Sequence, residues 1–278
     1  MTKKNKSAIQ RRLIPTYIFL IIVSFFSVFP LYWMISAATN TSTDVSRGRI
    51  IPGSYFMENF KNLTSQQPLW RALGNSFFYA ILTTVICLLI CSIAGYGFEV
   101  YHDKGKDRLF SILLLAMMVP QVATMVPLFK MFSKAKLLNT SIGFILPIIS
   151  TPFMIMMFRQ NARAFPVDII EAARIDGANQ FQIYWKIFMP IMKPSLILVG
   201  VLNMLTVWND YLGPLIFLQD RSKYTLALGL ASFKGVHSTQ IIPMLCITII
   251  MIIPPIIIFI IAQKYICLLY TSDAADEL

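Results

Sequence analysis

Apolar residues gather in six runs, at positions 13–38, 76–98, 109–132, 142–158, 196–218 and 241–262, with shorter polar stretches between them. The runs are apolar on every side, with neither the alternation of a half-buried strand nor the one-sided stripe of a surface helix. A membrane-spanning helix needs about 20 mainly apolar residues, so each run reads as a span. The expected fold class is an all-α membrane protein with about six transmembrane helices. Lys3, Lys4, Lys6, Arg11 and Arg12 precede the first run, and Ser36-Ala37-Ala38 resembles a cleavage site at its end. A secretion-signal core is only about 7–15 residues long, so the run is expected to stay as a first span with a cytoplasmic amino terminus.

Composition agrees with lipid burial: of 278 residues, 56% are hydrophobic and 13% charged, too apolar for a soluble globular domain. One membrane domain, 13–266, follows a short cytoplasmic segment, 1–12. The formal charge of +11 is spread over the inter-span loops, with no basic helix or stacking platform that would serve nucleic acid. With six spans and both ends in the cytoplasm, 14 of the 24 Lys and Arg residues fall inside and 10 outside, a mild positive-inside bias. Cys87, Cys91, Cys246 and Cys267 form no disulfide or zinc framework, and His102 and His237 have no Cys or carboxylate at ligand spacing, so no metal is expected. Pro30, Pro120, Pro127, Pro147, Pro152, Pro214, Pro243, Pro254 and Pro255 lie in or beside the runs. Each internal one frees a carbonyl, which fits either kinked helices in a packed bundle or broken helices around a path.

The polar stretch 159–194 is patterned as two short helices around a glycine. Pro166 suits a first turn, Asp168 favours a helix's positive end, and the helix runs through Glu171-Ala172-Ala173 to a stop at Gly177. Asn179 and Gln182 are spaced as a capping pair for a second helix through Tyr184, Trp185, Ile187 and Phe188, ended by Pro190. Small residues for close approach, apolar residues for docking, and Glu171, Arg174 and Asp176 for orientation make a coupling element. An amphipathic loop lying on the membrane surface fits the same residues.

The string Glu171-Ala172-Ala173, three residues, Gly177, nine residues, Ile187-Phe188-Met189-Pro190 resembles the EAA loop of ATP-binding-cassette importer permeases, with Met189 in place of the usual leucine. Met118-Val119-Pro120, Pro127-Leu128-Phe129, Leu138-Asn139-Thr140, Leu146-Pro147, Trp208-Asn209-Asp210-Tyr211-Leu212 and Pro214-Leu215 extend the resemblance to the MalG-like, carbohydrate-importing branch. It implies a type I importer permease in a bacterial plasma membrane and an ATPase-coupling loop carried by Glu171, Ala172, Ala173, Arg174, Asp176, Gly177, Ile187 and Pro190. It also implies four kinds of partner contact: a second, related permease in a heterodimer, two cytoplasmic ATPases, an extracytoplasmic sugar-binding protein, and the membrane. The carboxylate of Glu171 would face a basic group in a cleft of the ATPase.

No G-x-x-x-x-G-K-[ST] loop and no set of acid, base and nucleophile is present, so neither catalysis nor a bound cofactor is expected of this chain. Asp210 is the one acidic residue well inside an apolar run; with Asn203, Trp208 and Asn209 it is a candidate for the substrate path, though hydrogen bonding between helices fits equally. An ion-coupled secondary transporter is the alternative function; it would need buried ionisable residues, and Asp210 alone offers little. The segment 267–278, Cys267-Leu-Leu-Tyr-Thr-Ser-Asp-Ala-Ala-Asp-Glu-Leu278, resembles translated sequencing-adapter DNA and is expected to be non-native.

Overall fold

A computed structural model describes residues 3–66, 68–101, 103–163, 165–233 and 241–276, which include no strand. His102 and His237 lie outside the described residues. The chain divides into two compact units, residues 1–67 with 232–250, and residues 68–231 with 251–278.

In the first unit α1 (Lys3–Ala38) runs unbroken through Pro15 and Pro30. Its side chains from Ile14 to Tyr32 are exposed and almost all apolar, as a helix immersed in hydrocarbon requires. The exit from α1 is held by side chains. Asn40 is fully buried and donates to the carbonyls of Ser36 (2.9 Å) and Ile51 (3.0 Å), while Asn59 reaches back to those of Ala38 (2.9 Å) and Asn40 (3.0 Å). A Cβ on Gly53 would lie 2.6 Å from Asn40 Oδ1, so this approach needs glycine. The short α2 (Ser42–Ser46) is capped by Thr41, whose hydroxyl accepts from the N–H of Asp44, and α3 (Phe56–Gln66) follows.

The second unit is built on α4 (Leu69–Val100), a helix of 32 residues without an internal proline. Ser76, Tyr79, Ala80, Thr83, Thr84, Cys87, Cys91, Ser92, Gly95 and Tyr96 form its buried stripe, spaced three or four apart. Phe78, Ile81, Val85 and Ile93 face outward. Then come α5 (Lys104–Ala116), α6 (Gln121–Lys134), α7 (Ser141–Ile145), α8 (Pro152–Ala162) and α9 (Val167–Ile175). Next, α10 (Gln180–Gln182) passes through a π-helical turn (Ile183–Phe188) into α11 (Met189–Ile191). The remaining helices are α12 (Lys193–Trp208), α13 (Leu212–Phe217), α14 (Leu226–Ala231) and α15 (Ile241–Asp276), the last running through Pro254 and Pro255 into the segment read as adapter-derived. A core of Cys87, Cys91, Phe110, Met154, Ile155, Phe158 and Val199 joins α4, α5, α8 and α12.

All six apolar runs are helical in large part; among the described residues three single helices are long and apolar enough to cross a membrane, at 14–38, 69–100 and 241–264, and up to five if each of two bent pairs counts as one span. The expected span 109–132 is broken at Met118-Val119-Pro120, where α5 and α6 meet at 101°. Pro120 lacks the N–H that would continue α5 and instead sits as N-cap of α6. Between α7 and α8, Leu146-Pro147 and Pro152 interrupt the span expected at 142–158. The run 196–218 stops at Trp208 and resumes as α13. For these segments the structure decides between kinked and broken helices in favour of breaks, whereas α1, α6 and α15 carry their prolines inside.

The breaks are closed by specific contacts. Asn139 takes the left-handed conformation (φ 57°), which asparagine tolerates. Its N–H donates to the carbonyl of Phe217 (2.7 Å) and its Oδ1 accepts from the N–H groups of Gln219 (3.3 Å) and Asp220 (3.1 Å).

Candidate functional site

The two short helices expected around Gly177 are present, with their caps. Helix α9 ends in a Schellman motif: the N–H of Gly177 donates to the carbonyl of Arg174 (3.1 Å) and that of Ala178 to the carbonyl of Ala173 (2.9 Å), with Gly177 at φ +82°. Two residues later the next helix opens with a capping box, Asn179 Oδ1 accepting from the N–H of Gln182 and Gln182 Oε1 from that of Asn179, both at 2.9 Å. The ten residues from Ala173 to Gln182 thus stop one helix and start another.

Pro190 does not end the second helix, contrary to the sequence reading; the helix continues to Ile191. The N–H of Met189 bonds the carbonyl of Tyr184, five residues back, so the wider π turn has already disturbed the α register just ahead of Pro190, where an α-helix would need an N–H. The chain bends instead at Met192, where Gln180–Ile191 meets α12 at 77°. Pro194 then falls in the first turn of α12, where its missing N–H costs nothing.

The two helices enclose their own core of Ile170, Ala173, Ile183, Tyr184, Phe188 and Met192, joined by Phe165 and by Tyr96 of α4. Among the candidate coupling residues Ala173 is therefore interior and Ile187 half-buried, whereas Glu171, Ala172, Arg174, Asp176, Gly177 and Pro190 are exposed. The outer surface also carries large apolar side chains: Ile175 is 87% exposed, Phe181 72%, and Ile169 and Trp185 are exposed beside them. Arg174 lies over the ring of Tyr101 at 5.6 Å, and the Tyr101 hydroxyl donates to Gln180 Oε1. Nearby, Asp103 caps α5, and the N–H and then the ammonium of Lys106 hold its carboxyl below the usual range.

A charged cluster that the sequence reading missed stands at the root of the segment. Arg159 belongs to the last turn of α8, not to the loop, and its side chain is only 9% exposed. It pairs with Glu99 of α4 (3.2 Å) and Asp107 of α5 (3.0 Å), and its guanidinium covers the ring of Phe110 at 4.1 Å. Arg163 adds a longer contact to Glu99, 3.7 Å. The available signal was opposite charges at the ends of apolar runs assigned to the same membrane face.

The four candidate substrate-path residues do not converge. Asn203 is buried and donates to Thr84 Oγ1 (3.2 Å); Trp208 is buried against Phe77 and donates to the carbonyl of Met251 (3.0 Å); Asn209 bonds the carbonyl of Leu205 (2.9 Å) within its own helix. Asp210 lines a cavity of about 110 Å³, with Gln121, Thr124, Phe144 and Phe217 among its walls. Its Oδ1 also accepts from the N–H of Gly213 (3.0 Å), starting α13. A Cβ on Gly213 would stand 2.3 Å from Asp210 Oδ2. The described residues include no group of three or more potential metal ligands.

Residues 92–267 match the family of binding-protein-dependent transport system inner membrane components. The chain belongs to this family. The permease is 35% identical to the lactose transport system permease LacG of Rhizobium radiobacter over 93% of this chain and 95% of that protein. It is also 35% identical to the arabinooligosaccharides transport system permease AraQ of Halalkalibacterium halodurans over 87% and 89%. It is 27% identical to the sn-glycerol-3-phosphate transport system permease UgpE of Escherichia coli over 85% and 88%. Its fold is similar to a chain in the crystal structure of a bacterial ABC transporter that imports the acidic polysaccharide alginate, with a TM-score of 0.81, 22% identity, and coverage of 95% of this chain and 98% of that one. The permease is thus a membrane-embedded transport subunit and not an enzyme; nucleotide hydrolysis belongs to separate subunits of such systems.

Proposed function

We propose that the permease forms half of a carbohydrate import path driven by ATP, with the segment around Gly177 as its point of attachment to an ATPase. The observation that supports it is an inner face packed on Tyr96 of α4 combined with an outward surface of Ile175, Phe181, Trp185 and Glu171. A surface loop that merely closed the chain would have no reason to expose such side chains around a carboxylate. In this reading Glu171 meets a basic group of the ATPase and the apolar residues fill its cleft, so that ATP-driven closure of two ATPases moves the segment and reorients the bundle. A ligand or nucleotide shifts such an equilibrium only as far as it binds one state better, which makes the attachment essential to the cycle.

The amino terminus and the segment then share the cytoplasmic face of a bacterial plasma membrane. A second, related permease completes the path, and an extracytoplasmic binding protein delivers the solute. The names of the relatives favour a sugar or oligosaccharide, with a polyol phosphate as the outlying case. In this reading Asn203, Trp208 and Asn209 support the helices beside the path, and Asp210, which shares its cavity with Gln121 and Thr124, contributes a polar group to it.

The test is uptake of labelled oligosaccharides into proteoliposomes holding both permeases and both ATPases, with binding protein outside and ATP inside. Uptake that needs all components is the expected result. Gradient-driven uptake by this chain alone would favour the ion-coupled alternative.

A further inference from the structure

Helix α4 meets the coupling segment at one end, through a bond between two side chains, and a distant loop at the other, through bonds from its side chains to backbone groups. At the first end Ser92, Tyr96 and Val100 occupy one face at four-residue spacing. The Ser92 and Tyr184 hydroxyls lie 2.7 Å apart, and the Tyr96 ring contacts those of Tyr184 and Phe188 with centroids 5.4 and 4.7 Å away. The direction of the buried bond follows from valence. Ser92 Oγ–H is already committed to the carbonyl of Leu88 (2.5 Å), so the Tyr184 hydroxyl must donate to Ser92 Oγ.

At the other end Asn75 Nδ2 donates to the carbonyls of Ser222 (2.9 Å) and Tyr224 (3.0 Å), and Ser76 Oγ accepts from the N–H of Leu226 (2.8 Å). Seventeen residues of helix at 1.5 Å each separate Asn75 from Ser92, about 26 Å. Between them α4 has neither a proline nor a break, whereas α1, α6 and α15 contain internal prolines and α5/α6 is bent by 101°. The helix is also held close to its neighbours: Gly200 of α12 sits against Leu88 within this stretch, and just beyond it a Cβ on Gly95 would stand 2.5 Å from Phe158 Cβ of α8.

We propose that α4 is the rigid member that carries displacement of the coupling segment to the loop around 222–226, with Tyr184–Ser92 as its input contact and Asn75 as its output contact. Tyr184, Ser92 and Asn75 are positioning residues: through their contacts within the chain they set how much of one end's movement reaches the other. The inference rests on the coupling role proposed above.

The experiment uses the complete reconstituted complex and reads solute transported per ATP hydrolysed for Tyr184→Phe, Asn75→Ala and the double variant. Loss of folded complex lowers both rates together and leaves this ratio unmoved, so the ratio isolates coupling from stability. Each single variant is expected to lower the ratio at least threefold, and the double variant no further than the worse single one, because both interrupt the same route. Ser92→Ala, which strands the buried Tyr184 donor, should be at least as severe as Tyr184→Phe, which leaves Ser92 bonded to Leu88. Unchanged ratios in both single variants, or independent losses that multiply in the double variant, overturn the proposal. Glu171→Lys is run in parallel: coupled transport surviving that change sinks the docking role itself, whereas its loss beside normal Tyr184→Phe and Asn75→Ala ratios sinks only the role of α4.

Discussion

Replacing Arg159 by Met keeps an unbranched apolar stem, ending about where Nε stood, and removes the guanidinium and its charge from a site walled by α4, α5 and α8. Breaking a buried ion pair by deleting one partner costs about 3–5 kcal/mol, chiefly because the other charge is left behind. Two features place this variant at the low end. Asp107 is 55% exposed and is resolvated readily, and Glu99, only 15% exposed, keeps Arg163 at 3.7 Å. The contact over the Phe110 ring, 4.1 Å from the guanidinium, is lost as well. A loss of about 3 kcal/mol corresponds to a melting temperature lower by roughly 6–12 °C, at about 2–4 °C per kcal/mol for a chain of this size. Thermal unfolding of the detergent-purified protein, followed by far-UV circular dichroism, measures it. Adding Glu99→Gln to Arg159→Met should recover at least half the loss by removing the stranded carboxylate. An Arg159→Met protein that melts like the parent, or a double variant less stable than the single one, would refute the reasoning.

Three smaller perturbations follow from local geometry. Gly95→Ala puts a methyl 2.5 Å from Phe158 Cβ and 2.9 Å from the Arg159 nitrogen, so α4 and α8 must separate at a cost of about 1–3 kcal/mol, visible as a lower melting temperature. Gly177→Ala meets no neighbouring atom but forces a side chain into φ +82°, costing about 1–2 kcal/mol; faster proteolytic nicking between α9 and α10 should report it, with less effect from Gly177→Asn. Asn179→Ala removes the capping box, worth about 1 kcal/mol, and should raise hydrogen exchange in Gln180–Gln182 while leaving α12 protected.

The residues that make helices were readable from sequence, and so were the two capped helices around Gly177, because their signals are local: a glycine in a left-handed turn, an Asn-x-x-Gln cap, and apolar spacing. The breaks within the predicted spans were not. Hydrophobicity reports that 109–132 belongs in lipid but not that Pro120 starts a new helix at 101° to the last. Most of the resemblance motifs outside the coupling segment fall at or beside such breaks: Met118-Val119-Pro120, Leu138-Asn139-Thr140, Leu146-Pro147 and Trp208-Asn209-Asp210 are junction residues, held by contacts such as those of Asn139 to 217–220. Arg159 was hidden for a different reason. Its partners lie 52 and 60 positions away in sequence, and the packing of α8 against both α4 and α5 brings them together. The π turn over Ile183–Phe188, ahead of Pro190, likewise has no sequence signature.

The most direct measurement places a photo-crosslinking amino acid at Ile175 or Phe181, the most exposed apolar positions of the segment, in the fully assembled transporter. Irradiation should join the permease to an ATPase subunit at both positions, and Glu171→Lys should weaken the product. Adducts only to lipid, or to the partner permease, would leave the segment without a motor and contradict the account.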